Sequence, residues 1–433
     1  MIRKHHLLIA AWILFLFTSG CREESTRATT PPATPALPPG PSLQGDSWIR
    51  TFDGGHVSGA GDVIQTRDGG FLIGGGMGGL GGGDQQGGVL LIKTDGDGEI
   101  VWQQVYGGEQ YDAGWSLAES ADGGYLVAGE TASFGAGGMD GYMIKVDPDG
   151  REIWSHTYGS MLNEVFSSIA ASADGGYYLI GNVVDPHDVI ADPGKAGYAG
   201  FAGRSSIYVV KTDAEGNETW SRVFDSGQNV LAAAGTAARD GGVIILATVM
   251  YYPDFDNDIL LLKIDEEGEE IWTRTWQEAG LAGYAMARTS DDCILITGIY
   301  ETSADKPSEL YLLKVDAEGN QIWMAVQGDP GLYESGQSVI ETVDGSYLVL
   351  VSTTASLYAG SSGVELAQFA ENGDFLYLKP LATRHKIKAQ MILQSTGGGY
   401  VITGSIVDDS ADTYQAVLIK TDADGHVQEQ EAP

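Results

Sequence analysis

An all-β fold is predicted: a closed ring of seven four-stranded antiparallel blades, with a strand from the N-terminal side completing the last blade. Three observations predict it. A unit of about 50 residues recurs seven times. Glycine supplies 62 of 433 residues, about twice the usual ~7% share, while proline supplies 14. The final copy of the unit lacks a strand, and the region opens with a strand to spare.

The repeat rests on two anchors. Lys-x-Asp-x-x-Gly-x-x-x-Trp occurs at Lys93/Asp95/Gly98/Trp102, Lys145/Asp147/Gly150/Trp154, Lys211/Asp213/Gly216/Trp220, Lys263/Asp265/Gly268/Trp272 and Lys314/Asp316/Gly319/Trp323. A worn copy has Gln368, Ala370, Gly373 and Tyr377, and the last copy, Lys420/Asp422/Gly425, has no tryptophan. Successive spacings are 52, 66, 52, 51, 54 and 52. The second anchor, Asp-Gly-Gly before an apolar run, starts at Asp68, Asp122, Asp174 and Asp240, with variants at Asp291, Asp344 and Gly397.

Each unit reads as four short strands, A to D. In one unit strand A is 167–173, strand B 177–181, strand C 207–212 and strand D 218–224. The A–B and C–D turns are rich in Gly, Asp and Asn, which adopt positive φ at little cost. Closure is the strongest signal. The last copy stops before its strand D, while residues 47–55 form an orphan strand D that matches Trp102, Tyr106, Gly107 and Gly108. A ring closed in this way leaves no open sheet end. The prediction is therefore a seven-bladed β-propeller over residues 47–433, as one domain.

Residues 122–159 resemble the repeat of bacterial and archaeal secreted propeller proteins. The likeness is carried by Asp122-Gly123-Gly124-Tyr125, Thr131, Ser133-Phe134-Gly135-Ala136-Gly137, Asp140, Tyr142, Ile144-Lys145, Trp154 and Tyr158-Gly159. It extends over about 380 residues and implies the propeller fold, with little bearing on activity.

The repeated side chains read as structural. The strand D tryptophans should pack between sheets, and each Lys-x-Asp pair should bond to itself or to a neighbouring strand. Acids outnumber bases 59 to 24, a formal charge of −35, which argues against nucleic acid as a partner and against electrostatic adsorption to anionic lipid. Two cysteines exclude a disulfide scaffold, and Cys293 reads as a small buried hydrophobe. No zinc-protease, haem-attachment or nucleophile-elbow motif is present, and the seven histidines show no ligand spacing.

Residues 1–20 read as a secretory signal. Arg3, Lys4, His5 and His6 precede an apolar run, 7–17, too short for the ~20 residues a spanning helix needs. Thr18-Ser19-Gly20-Cys21 resembles a bacterial lipobox, which implies lipidation of Cys21. Residues 21–46 then form a Pro/Thr-rich tether. The expected location is extracytoplasmic and membrane-anchored, at the outer membrane or cell surface.

Function is expected on the rim that carries the D–A and B–C connections, because their lengths vary while the hairpins are uniform. The connection within 182–206 holds His187 and Asp188. No cofactor is expected beyond calcium, for which Asp254, Asp256 and Asp258 cluster hard oxygen donors, with a solvated acidic loop as the competing reading. Asp112, Glu164 and Glu334 sit ten residues before their own anchors, an equivalence that predicts a partial acidic ring around the channel mouth. Arg384 and Lys386 belong to the one dense basic segment of the propeller and suggest a docking point. The leading expectation is a monomeric binding or scaffold module for an envelope protein, peptide or glycan. The alternative is a carbohydrate hydrolase or lyase using rim carboxylates.

Overall fold

The structure is a computed structural model that describes residues 47–52, 58–77, 87–185, 204–251, 256–277, 280–301, 307–355, 363–381, 383, 385–408 and 413–427. Among these are 28 strands in seven four-stranded antiparallel sheets. Blade 1 is β2 (Ser58–Gln65), β3 (Phe71–Met77), β4 (Gly88–Thr94) and β5 (Ile100–Tyr106). Blade 2 is β6 (Asp112–Glu119), β7 (Tyr125–Thr131), β8 (Asp140–Val146) and β9 (Glu152–Tyr158). Blade 3 is β10 (Asn163–Ala171), β11 (Tyr177–Asp185), β12 (Arg204–Thr212) and β13 (Glu218–Phe224). Blade 4 is β14 (Asn229–Ala237), β15 (Val243–Tyr251), β16 (Asp256–Ile264) and β17 (Glu270–Trp276). Blade 5 is β18 (Leu281–Arg288), β19 (Ile294–Tyr300), β20 (Glu309–Val315) and β21 (Gln321–Gln327). Blade 6 is β22 (Tyr333–Glu341), β23 (Tyr347–Thr354), β24 (Gly363–Phe369) and β25 (Phe375–Pro380). Blade 7 is β26 (Ile387–Gln394), β27 (Tyr400–Asp408), β28 (Thr413–Lys420) and, as its strand D, β1 (Trp48–Phe52). The protein is a seven-bladed β-propeller, closed by its N-terminal strand.

The core is divided among the seams. Seven buried apolar clusters occur, and each joins one blade to the next. Strands B and C are therefore buried on both faces, which explains their unbroken apolar runs, as in Val89, Leu90, Leu91 and Ile92. A single blade has no covered face, so stability belongs to the ring.

Local turns repeat with little variation. In blade 1 Thr66 N–H donates to Gly70 O at 3.0 Å and Gly69 N–H to Thr66 O at 2.8 Å, with Gly69 at φ 86°. Blade 5 has Asp292 at that place, the one non-glycine residue with positive φ among those described, at 69°. Arg288 Nε holds its carboxylate at 2.7 Å, so a charged partner supports a conformation that glycine adopts freely.

Every strand A is bulged. The ladder skips Gly61, Trp115, Ser167, Ala233, Tyr284, Gln337 and Gln390. Strand A of blade 3 thus runs from Asn163, not from 167 as expected, because the bulge breaks the alternation that sequence reading follows. Beyond the bulge, neighbouring blades supply acceptors. Leu117 N–H donates to Asp62 Oδ2 at 2.8 Å, Ile169 N–H to Ser116 Oγ at 3.3 Å and Gly235 N–H to Ser168 Oγ at 3.2 Å.

The repeated lysine does not pair with the aspartate two residues on. Lys93, Lys145, Lys211, Lys263 and Lys314 reach instead to the anchor aspartates Asp68, Asp122, Asp174, Asp240 and Asp291, at 2.6–2.9 Å. The second aspartate serves its own turn: Asp95 Oδ1 accepts from Asp97 N–H and Glu99 N–H, both at 2.9 Å. The tryptophans pack at the outer seams, as expected. Trp102 Nε1 donates to Pro148 O of the next blade at 2.9 Å, and Trp220 Nε1 to Glu266 O at 2.9 Å.

Candidate functional site

The two rims differ as the sequence implies. One carries the uniform hairpins, and the other carries the D–A and B–C connections. In blade 3 Asp185 and Arg204 form the last register pair of β11 and β12, so the connection 186–203 leaves the sheet between them. His187 and Asp188 lie in that connection, outside the described residues.

At the same corner a cleft of about 430 Å³ opens between blades 2 and 3. Ser160 and Leu162 of the D–A connection form one wall, Arg204 and Asp225 the lip, and Glu164 and Tyr208 the floor. Arg204 and Asp225 are joined by an ion pair that stays partly exposed, at 30% and 49% of the side chains. Such a pair is weakly held and can exchange partners with an incoming polar group. Tyr208 stacks on Phe166 with centroids 5.9 Å apart, which fixes the aromatic floor.

Glu164 is buried, at 2% exposure. Its Oε1 accepts from Ser160 N–H at 3.1 Å and Ser160 Oγ–H at 2.7 Å, while its Oε2 has no hydrogen-bond partner. Burial raises its pKa, and the Asp140 carboxylate nearby adds to the rise. The cleft thus combines an aromatic floor, a buried carboxyl whose pKa is raised by burial and a partly exposed charge pair. That set suits a polar ligand with hydrogen-bonding groups.

The architecture has known counterparts. No protein-family model matches the chain, and no curated protein matches it. Solved propellers do. The Pan2 WD40 domain of Neurospora crassa has a TM-score of 0.50 at 11% identity, covering 84% of this chain and 89% of that one. A protein from Lactobacillus plantarum has a TM-score of 0.49 at 12% identity, covering 81% and 99%. A Synechocystis apocarotenoid oxygenase mutant has a TM-score of 0.44 at 12% identity, covering 88% and 94%. The likeness is one of fold alone.

Asp112, Glu164 and Glu334 are equivalent in place, each three residues before the residue its ladder skips. They do not form an exposed ring. Their exposures are 0%, 2% and 1%, and each accepts a backbone N–H from the preceding D–A connection: Gly108 at 2.7 Å, Ser160 at 3.1 Å and Asp329 at 2.9 Å. Val230, Leu281 and Ile387 hold the same place in blades 4, 5 and 7, which fits a buried position. Glu334 also has other carboxylates around it. Burial first, and then the charges of Glu365, Asp329 and Glu309, push its pKa up to about 7.

Of the calcium candidates, Asp254 lies outside the described residues and only the backbone of Asp256 is described. Asp258 is buried at 6% exposure and accepts from the Tyr251 hydroxyl. Lys386 is exposed, while Arg384 and Cys21 lie outside the described residues.

Sequence reading missed Glu130 and Asp62. Glu130 stands in strand B of blade 2, fully buried, and accepts from Trp115 Nε1 at 3.3 Å and from Tyr111. Burial pushes its pKa up to about 8. Burial likewise raises Asp62 to about 6, against the two backbone N–H groups it accepts. The available signal was a carboxylate inside an otherwise apolar run, Tyr125 to Thr131.

Proposed function

We propose that this protein is a lipid-anchored, extracytoplasmic propeller, tethered through Cys21, whose cleft between blades 2 and 3 binds a segment of an envelope protein, a peptide or a glycan. The observation that carries the binding site is the position of the 430 Å³ cleft, at the root of the longest B–C connection. The support for the anchor is the run from Arg3 to Cys21 and the proline-rich stretch that follows.

The catalytic alternative rests on Glu164. A carboxyl whose pKa is raised by burial, with Asp185 and Asp225 on the same cleft, is a candidate general acid for glycoside cleavage.

Two measurements test the proposal. Cys21→Ser should abolish incorporation of labelled palmitate and shift the protein from the membrane to the soluble fraction. A photo-crosslinking residue at Leu162, beside the cleft, should capture an envelope component in cells, and the same group at Glu318, on the opposite rim, should not. Shortening 186–203 should abolish the capture. Equal capture from both positions would remove the cleft as the binding site. Release of labelled sugar by wild type and not by Glu164→Gln would select the enzyme.

A further inference from the structure

Glu334 differs from its counterparts Asp112 and Glu164 in what surrounds it. Asp112 accepts from the hydroxyls of Thr131 and Ser133, and Glu164 from that of Ser160. Glu334 accepts the Asp329 N–H at 2.9 Å on Oε2, while its Oε1 is buried with no hydrogen-bond partner. Asp329 follows Gly328 as Ser160 follows Gly159, so a carboxylate stands where blade 3 has the serine hydroxyl. A Cβ at Gly328 would lie 2.6 Å from Glu309 Cγ and 3.1 Å from Glu334 Oε2, which brings a third carboxyl, from blade 5, beside the pair.

Strand C of blade 6 adds a fourth. One row of the propeller runs from the strand A residue just before each bulge, through strand B, to strand C. Its strand C members are Leu90, Tyr142, Tyr208, Leu260, Tyr311 and Val417 in six blades, all buried. In blade 6 the member is Glu365. Glu334 pairs with Thr353, and Thr353 with Gly363, two residues from Glu365, so both glutamates share one face of the sheet. Glu365 Oε2 is also buried without a hydrogen-bond partner.

No cation balances this group. The charges acting on Glu334 are those of Glu365, Asp329 and Glu309, and the charge acting on Glu365 is that of Asp329. Burying an acid without a positive partner is costly, and the other six blades put an apolar side chain in the row instead. The group is also too widely spaced for a bare metal ion. Among the described residues no three of these carboxylates bring their oxygens into one coordination shell, whereas Asp422, Asp424 and His426 on the opposite rim do. A guanidinium is broader and planar, carries five N–H donors, and bonds two carboxylates at once without drawing them together.

We propose that Glu334 and Glu365, with Asp329 and Glu309 beside them, bind a guanidinium group at the seam between blades 5 and 6. Glu334 Oε1 and Glu365 Oε2 accept its N–H groups. Asp329 is exposed and Glu309 and Glu365 are half-buried, so the group is reached from the rim of the D–A and B–C connections. Its source is an arginine side chain of a peptide or a small guanidine compound. The site is separate from the cleft between blades 2 and 3, and either can fail without the other.

The probe is acetyl-Gly-Gly-Arg-Gly-Gly-amide carrying an uncharged fluorophore, titrated by anisotropy into the full-length protein in detergent. The proposal expects saturable binding, roughly tenfold tighter than that of the same peptide with lysine. Glu365→Leu installs the residue of blades 1 and 4. It should weaken binding roughly tenfold or more and melt above wild type, because an unpaired buried carboxylate is gone. Glu334→Gln should weaken binding too, and Glu318→Gln on the opposite rim should not. Methylguanidine that competes as well as unlabelled peptide assigns the site to a small guanidine compound, and competition only at far higher concentration assigns it to a peptide. Equal binding of the lysine peptide, or binding unchanged in Glu365→Leu, would overturn the proposal. So would calcium chloride that displaces the peptide and raises the melting temperature of wild type but not of Glu365→Leu.

Discussion

Trp48 lies directly opposite Lys420, and the antiparallel register runs on to Phe52 opposite Ala416. The two ends of the propeller therefore share blade 7, and the Trp48 ring, 3% exposed, reaches across the next seam to the Gly98 turn. Trp48 thus joins the ring in two ways at once. Its side chain serves the seam between blades 7 and 1, and its backbone completes the sheet of blade 7.

Trp48→Ala should destabilise the protein by about 3 kcal/mol or more, because it empties a packed site at the closure. Gly98→Ala should act on the same contact from the other side. Its φ is 79°, and an added Cβ would lie 2.5 Å from the Trp48 ring. Urea unfolding followed by tryptophan fluorescence measures both, and a midpoint like wild type would show that closure carries little of the stability.

Blade 7 lacks one of the repeated charge pairs. Gly397 stands where Asp174 meets Lys211 at 2.8 Å in blade 3. A Cβ at Gly397 would have Ser395 Oγ at 3.7 Å and Lys420 Nζ at 3.8 Å, which is ordinary contact distance. Gly397→Asp should stabilise by about 1 kcal/mol, through the ion pair and the lower entropy of the unfolded chain. Asp174→Asn should cost about 2 kcal/mol, since it leaves Lys211, 3% exposed, without its charged partner. Thermal melts of the two variants should move in opposite directions.

Stability should fall between about pH 5 and pH 8. The Glu130 carboxyl holds its proton up to about 8 when folded, against 4.5 ordinarily, because burial disfavours the charge. Over that window the folded state binds more protons than the unfolded chain, so raising the pH favours unfolding. Glu334 at about 7 and Asp62 at about 6 act in the same direction. Glu130→Gln should flatten the dependence, and a variant as pH-sensitive as wild type would remove Glu130 as its source. At the acid end the sign reverses. The Lys211 hydrogen bond holds Asp174 down at about 2, so that contribution is lost as pH falls through the ordinary carboxylate range towards 2.

A calcium site built on Asp254, Asp256 and Asp258 would raise the melting temperature on adding the ion. Replacing Asp254 and Asp256 by asparagine should abolish the rise. An unchanged melt of the wild type would end that reading.

The candidate site was less legible than the ring. The variable rim and the 186–203 connection could be named from length alone, yet the cleft depends on Ser160 and Glu164 of one segment meeting Arg204 and Asp225 of others. The equivalence of Asp112, Glu164 and Glu334 was readable, but their burial was not. A strand position shows which face a side chain takes only when the register is known, and the bulge in each strand A shifts it. Glu365 was visible in the sequence as one acid in a strand, whereas its meeting with Glu334 required the register of blade 6.

By itself the sequence determined the number of blades, the turns between strands and the closure by Trp48. The blades and turns repeat a local hydrogen-bond pattern seven times, and a copied pattern can be counted; the closure follows from that count, as one strand missing at one end and one to spare at the other. Only the tertiary structure decided that Lys211 pairs with Asp174 and not with Asp213, that Glu130 is buried with its proton, and that Glu365 meets Glu334. These outcomes depend on which side chains adjacent strands and blades bring together in space, and separation along the chain does not encode that.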